Sequence, residues 1–327
     1  MKGNDKVIAS PIEIVKKYSV IATAVVLIVI ATIATGGKYL TAGNMLNVGE
    51  RASAIGIISL GQMLVILTGG LDLSVSGIVA VGYCITSLLL AHTSLPVPLV
   101  ILFMLLGTTA CGALNGFLVS KTRVPPFMLT LGTFLFFQSL SLVLSKAATL
   151  YFNTQAGWMV NTLGLRGTIG RLFPSITWVV VSALIIIILA YARFGKNIYQ
   201  TGGKEMAAKM SGIKTDQIKF LVYTICGLLC GIAALTVEFR INFLNVTSTS
   251  SFQIASIAAV IIGGTSLLGG EGNVYGTFVG AFIMASLDNI MNLCNVNVYS
   301  QDIVKGIVLL FFVCISFMMS KNRLRAS

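Results

Sequence analysis

The sequence predicts an all-α polytopic membrane protein of about ten transmembrane helices, some short or broken, in two weakly related halves. Three observations carry this. Of 327 residues, 56% are hydrophobic and only 10% charged, whereas a soluble domain carries about 25% charged residues. Apolar runs follow one another almost from end to end, and Lys and Arg sit in the gaps between them. So few charges could not solvate the surface of a folded chain this long, so apolar side chains must face lipid as well as each other. No soluble module interrupts the pattern, which makes residues 1–327 a single transmembrane domain.

A span needs about 20 predominantly apolar residues. The runs are 19–36, 52–68, 75–91, 98–119, 127–145, 175–192, 220–238, 252–268, 274–290 and 303–320. Several are short and broken by glycine, which predicts tilted or partly crossing segments. The first run follows Lys2, Lys6, Lys16 and Lys17 as the core of a signal peptide would. It is long for one and lacks a small-x-small cleavage pattern before Lys38, so an uncleaved span is expected.

Alternation from a cytoplasmic segment 1–18 puts fifteen of the 22 basic residues on inner segments. They are Lys2, Lys6, Lys16, Lys17, Lys121, Arg123, Arg193, Lys196, Lys204, Lys209, Lys214, Lys219, Lys321, Arg323 and Arg325. Cytoplasmic loops carry such an excess, which predicts ten spans with both termini in the cytoplasm. The net charge of +12 is thereby an orientation signal, and no nucleic-acid partner is expected. The six cysteines lie in or beside apolar runs and form no CxxC pair or cluster with the one histidine, His92. They suit small apolar packing, not a disulfide framework or a metal site.

Two connections are long. The outer one, 146–174, carries Tyr151, Trp158, Arg166 and Arg171; the inner one, 193–219, is the most informative loop of the chain. A weak internal echo also stands out. Leu67-Thr-Gly-Gly-Leu-Asp-Leu-Ser74 and Ile262-Gly-Gly-Thr-Ser-Leu-Leu-Gly-Gly-Glu-Gly272 each set a glycine pair, a serine and one acid between apolar runs. Glycine-interrupted segments at corresponding places of two halves point to transport. A broken helix frees backbone groups that must be buried in protein or line an aqueous cavity. The segments Gly69–Ser74 and Gly263–Gly272, the latter with Gly263, Gly264 and Ser266, fit that need. Asp72 and Glu271 are among the few acids close to apolar runs, where a carboxylate is a functional candidate. Asp72 and Ser74 also precede a run as helix caps would. Asn115 and Gln138 are uncharged polar residues within runs, able to bond a neutral solute or a neighbouring helix.

Small residues recur at close spacing at Gly107, Cys111, Gly112 and Gly116, at Gly227 and Gly231, and at Gly276 and Gly280. Such patterns let helices pack closely in lipid. In the inner loop, Glu205 to Ser211 predicts a short exposed helix ended by Gly212. Its small face, Ala207, Ala208 and Ser211, could enter a groove on a partner. Catalytic motifs are missing: there is no Gly-x-Ser-x-Gly, His-Glu-x-x-His or phosphate loop. The chain is therefore expected to hold no cofactor and to hydrolyse no ATP.

Six stretches in order resemble the permeases of ribose/galactose-type sugar ABC importers, from about Leu40 to the C-terminus. They are Leu64–Ser74, Leu114–Ser120, Val124–Thr133, Phe194–Tyr199, Gly202–Gly212, and Ile257–Ser266 with Gly269–Gly272. The resemblance implies a translocation pathway for a sugar substrate between two permease copies, alike or different, in the lipid of a bacterial inner membrane. It implies a cytoplasmic ABC ATPase and an extracytoplasmic solute-binding protein as further partners. Gly203, Glu205, Ala207, Ala208, Ser211 and Gly212 then resemble the loop with which such permeases contact the ATPase. Asp72, Ser74, Asn115, Gln138, Gly263, Gly264, Ser266 and Glu271 become pathway or gate candidates.

Two departures matter. Val75-Ser76-Gly77 displaces by one residue a glycine that relatives place after Asp-Leu-Ser. Ser251-Phe-Gln-Ile-Ala-Ser256 lacks the two acids of the relatives' Gly-Tyr-Glu-Leu-Asp-Ala, which would suit pairing with a second, different permease. Composition alone also allows an ATP-independent carrier or channel, though the membrane-embedded ionisable series of an ion-coupled carrier is missing. A membrane enzyme lacks its nucleophile–base set. Within the family, a nucleoside, sugar alcohol or furanose signal molecule are alternative solutes.

Overall fold

The computed structural model describes residues 11–122, 124–151, 168–238 and 243–324. Trp158, Arg166, Arg123, Arg325, Lys2 and Lys6 lie outside them. The described helices are α1 (Pro11–Ala34), α2 (Ala42–Leu67), α3 (Val75–His92), α4 (Val97–Lys121), α5 (Pro126–Leu144), α6 (Thr168–Tyr191), α7 (Arg193–Gly203), α8 (Glu205–Met210), α9 (Thr215–Glu238), α10 (Ser250–Ile262), α11 (Val274–Leu293) and α12 (Val298–Leu324). The one sheet among the described residues pairs Leu150–Tyr151 antiparallel with Phe243–Leu244.

Seven helices, α2 to α6, α9 and α11, are long and apolar enough to cross a membrane, and Val20–Ala34 and Val246–Ile262 are shorter apolar stretches. Each of the ten expected runs overlaps one of these nine segments or α12, but among the described residues seven helices, not ten, are long and apolar enough to cross. Two boundaries differ instructively. The run 252–268 stops being helical at Ile262, because Gly263 opens an irregular turn. Thirteen residues at 1.5 Å each cover about 20 Å, short of the ~30 Å hydrocarbon core. Conversely α2 starts ten residues before the expected 52. Its first turns carry Asn44, Asn47, Glu50 and Arg51, whose polarity hides a helix from an apolar count. Other helices satisfy three of them: Asn44 and Asn289 exchange two side-chain bonds of 2.9 Å, and Arg171 of α6 bonds Glu50 at 2.8 Å and Asn47 at 2.6 Å.

The centre of the bundle is α2. Its most apolar window is 94% buried, against 22–28% for α4, α5 and α6. It is surrounded by α6, α9, α10 and α11, while α4, α5 and α6 turn Leu106, Phe117, Leu135, Phe136, Val180 and Leu184 outward. Those outward rows have the composition of a lipid-facing surface.

Small residues set the closest helix approach. A Cβ on Gly112 of α4 would stand 2.5 Å from Tyr223 O and 2.8 Å from Gly227 Cα; one on Gly227 of α9 would stand 2.5 Å from Thr108 O. The backbones of α4 and α9 therefore touch. Gly227→Leu is expected to lower the thermal unfolding temperature of the purified chain, since overpacking a close contact costs about 1–3 kcal/mol. Gly132→Leu is the control, because a Cβ there meets nothing within 4 Å. Equal unfolding temperatures for the two variants would contradict the contact.

Candidate functional site

Three glycine pairs from distant parts of the chain meet backbone to backbone at one end of the bundle. The first ends α2, where Gly69 takes φ +77° and Gly70 N donates to Val65 O at 3.1 Å. The second is Gly269–Gly270, with φ of +85° and +73°. Gly270 N crosses to the first turn and donates to Leu67 O at 3.0 Å. The third is Gly202–Gly203 at the end of α7. A Cβ on Gly202 would overlap Leu67 O and stand 2.7 Å from Gly270 N; one on Gly269 would stand 2.9 Å from Gly202 O and 3.0 Å from Gly69 N. Positive φ and contacts without room for a methyl group are the two conditions only glycine meets. The two echoing segments are therefore in direct contact, with α7 wedged against both.

The turn after Gly70 is fastened from three sides. Asp72 is fully buried, and its Oδ1 accepts from Ser74 N at 2.8 Å and Ser74 Oγ at 2.6 Å. Asn115 Nδ2 of α4 donates to Ser74 Oγ at 2.6 Å. Thr130 of α5 accepts from Leu73 N at 3.1 Å and donates to Leu71 O at 3.0 Å. The Gln62 carboxamide of α2, in the orientation that satisfies both of its atoms, donates to Asp72 O at 3.0 Å and accepts from Asp72 N at 3.3 Å. Ser74 stands at the N-cap position of α3, yet its side chain makes no capping bond.

The second turn begins at Gly263, where α10 presses on α11 so closely that a Cβ would stand 2.5 Å from Gly276 C. Gly264 has φ +83°. Ser266 N donates to Glu271 O at 2.9 Å, closing the loop, and Ser266 Oγ accepts from Leu268 N at 3.3 Å. Glu271 is exposed. Tyr199 Oη of α7 donates to Gly272 O at 2.9 Å, a second tie between α7 and this turn.

Helix α8 hangs directly on this junction. Glu205 opens it and receives Lys219 Nζ of α9 at 2.8 Å, Lys209 Nζ at 3.0 Å and Thr215 Oγ1 at 3.3 Å. Burial raises the Glu205 carboxyl, but the bonds from Lys219 and Lys209 outweigh it and hold the group below the usual carboxylate range. Gly212, at φ +82°, ends the helix with Ile213 N donating to Ala208 O at 3.0 Å. Ala208 is buried against the chain. Met206 and Met210 are 72% and 85% exposed, and Ala207, Ser211 and Gly203 face outward with them.

Gln138 stands apart from this site. Its Nε2 donates to Val246 O at 3.1 Å and its Oε1 accepts from Thr249 Oγ1 at 3.4 Å, where α5 meets the 3-10 turn before α10. The sequence-derived site residues therefore fall in two places, Gln138 in one and the rest around the junction. Gly202, Gln62, Thr130, Tyr199 and Lys219 belong to the junction and were not among them. Gly202 carried a legible signal, a second glycine beside Gly203; Thr130 carried none. Among the described residues no cluster of His, Cys, Asp and Glu could hold a metal ion.

Residues 44–313 match the family described as "Branched-chain amino acid transport system / permease component". The chain is 33% identical over 306 residues to the ribose import permease protein RbsC of Escherichia coli (strain K12), covering 92% of this chain and 94% of that one. It is 34% identical over 289 residues to the RbsC of Bacillus subtilis (strain 168), covering 88% of each. It is 29% identical over 354 residues to the xylose transport system permease protein XylH of Escherichia coli (strain K12), covering 90% of each. No solved structure matches. With its lipid-facing apolar helices and a family match over most of its length, the chain belongs to this family of integral membrane permeases.

Proposed function

We propose that this chain is the pathway-forming permease subunit of an ATP-driven ABC importer, moving a sugar released by an extracytoplasmic binding protein. In this reading it crosses the membrane about ten times, with both termini and α8 in the cytoplasm. Two permease subunits enclose the path, and a separate ATPase supplies the energy. The sugar assignment follows the ribose and xylose permeases among its relatives. The observation that carries the mechanism is the backbone contact between α7 and both glycine turns. Contacts through backbone alone contain no side chain that can change rotamer and absorb a displacement. A push on α8 is therefore passed to α2 and α3 through the first turn and to α10 and α11 through the second.

Met206 and Met210 are the natural contact points for the ATPase, being large, apolar and exposed beside a polar loop. Replacing both with Asp is expected to leave the fold intact, since neither is buried. ATPase retained on a tag at Ser327 should fall about tenfold or more, as truncated interface anchors lose 2 kcal/mol or more, about thirtyfold. Retention equal to wild type would remove α8 as the docking element. A lone chain that moves solute in liposomes without ATP would replace the importer with a carrier or channel. Native mass of the tagged complex also reports whether its two permeases are alike.

A further inference from the structure

We propose that the exposed hydroxyl face of the 3-10 turn before α10 lines a water-filled path at membrane depth, where it accepts from the O–H groups of a passing neutral polyol and turns anions away. The turn is Val246–Thr249, and α10 follows it directly. Its level in the membrane is set by Gln138 of α5, whose Nε2 donates to Val246 O at 3.1 Å. Gln138 stands two turns, about 12 Å, from Thr130 at the junction. Still further from the junction, α5 turns Leu140, Val143 and Leu144 outward, Val143 being 73% exposed. The 3-10 turn is therefore nearer the junction than the far edge of the lipid-facing apolar surface. Yet Asn245, Thr247, Ser248 and Ser250 are all exposed. Irregular backbone at this depth does not face hydrocarbon; it is buried in protein or lines water.

Where the protons point favours water over a like protein surface. Thr247 Oγ1 donates to Asn245 Oδ1 at 2.8 Å, Ser248 Oγ to Asn245 O at 2.6 Å, Ser250 Oγ to Thr247 O at 2.9 Å and Ser251 Oγ to Ser248 O at 3.1 Å. A hydroxyl has one proton, and all four are committed within the segment. The hydroxyls therefore present lone pairs outward. Carboxamides at the two ends, Asn245 and Gln253, whose oxygens accept from Thr247 and Ser76, hold the side-chain N–H donors. No residue from 245 to 256 is charged. A like permease laid on this face by two-fold symmetry would set acceptor against acceptor across the hydroxyls. A polyol fits, because its O–H groups supply the scarce donors and its oxygens accept from the two amides. A carboxylate or phosphate brings acceptors to a row of lone pairs. The identity of the polyol as a sugar rests on the importer reading; the water-lined face does not.

Thr247→Cys, Ser248→Cys and Ser250→Cys, each alone in the chain purified in its native assembly, test this. Val143→Cys is the lipid-facing control further from the junction. All are made with Cys294→Ser and Cys314→Ser, which remove the exposed native thiols. The probes are a cationic and an anionic methanethiosulfonate of similar size, applied with and without ATP, the faster condition being read. Only the thiolate reacts, and apolar surroundings suppress it. Cysteines in the turn should react at least about tenfold faster than Val143→Cys, since one pKa unit of suppression is tenfold in thiolate. Their cationic-to-anionic rate ratio should exceed that of free mercaptoethanol several-fold. Turn cysteines as slow as Val143→Cys overturn the proposal and mean cover by lipid or by an unlike second permease. Val143→Cys reacting as fast as the turn also overturns it, since the turn would then lie outside the membrane. A ratio equal to that of the free thiol removes the discrimination against anions. If the chain instead moves solute without ATP, the importer reading fails while these rates still report the face.

Discussion

Gly202→Val is expected to abolish solute uptake and to reduce the folded chain recovered from membranes. Its added carbons would enter the space of Leu67 O and crowd Gly270 N, two groups joined by the 3.0 Å bond that links the turns. Neither is the free end of a side chain, so nothing can rotate away. Overpacking costs about 1–3 kcal/mol and sometimes more, out of roughly 5–15 kcal/mol for a whole domain. Here a bond between the turns is lost as well. Gly203→Ala, one residue on, is the matched control, because a Cβ there has open space. Size-exclusion profiles in mild detergent and radiolabelled uptake would read both effects. If Gly202→Val behaves like Gly203→Ala, the three-glycine junction does not hold the chain together.

Glu205→Arg is expected to leave the chain folded and to reduce uptake to background. Exposed ion pairs contribute about 0–1 kcal/mol each, and Glu205 is 38% exposed, so stability changes little. Position changes a great deal. The substitution sets three cations together, the new guanidinium against Lys209 and Lys219, and removes the tie between α8 and α9 at 2.8 Å. With α8 loosened, displacement of the helix no longer reaches the junction. Glu205→Gln keeps the size and one acceptor and should fall between. The ion pairs also set a pH direction. The Glu205 carboxyl is held below its ordinary value, so its contribution is present above that ordinary value. It is lost as pH falls through the lowered one. Uptake like wild type for Glu205→Arg, with ATPase still retained, would remove this helix from the coupling route.

Much of the architecture is legible in one dimension because lipid imposes a simple rule. Side chains facing hydrocarbon must be apolar over about 20 residues, and basic residues mark the inner ends. Runs such as 98–119 and 127–145 therefore coincide with α4 and α5 to within a turn. The rule fails where a helix is enclosed by protein. The polar start of α2 is invisible to it, since Asn44, Glu50 and Asn47 are satisfied by Asn289 and Arg171 from distant segments. It fails again at α10, where the apolar run continues past Gly263 although the helix does not.

The sequence by itself determined that this is a membrane permease. It also named most residues of the junction, because glycine pairs, lone acids and an exposed short helix are rare against an apolar background. Only the tertiary structure decided that the two echoing glycine segments touch, that Gly202 lies between them, and that Asp72 is enclosed beside Asn115. The physical reason is that glycine declares permissiveness without naming what comes close. Which carbonyl occupies the space of its missing side chain depends on helices packed from opposite ends of the chain, and no local pattern encodes that meeting.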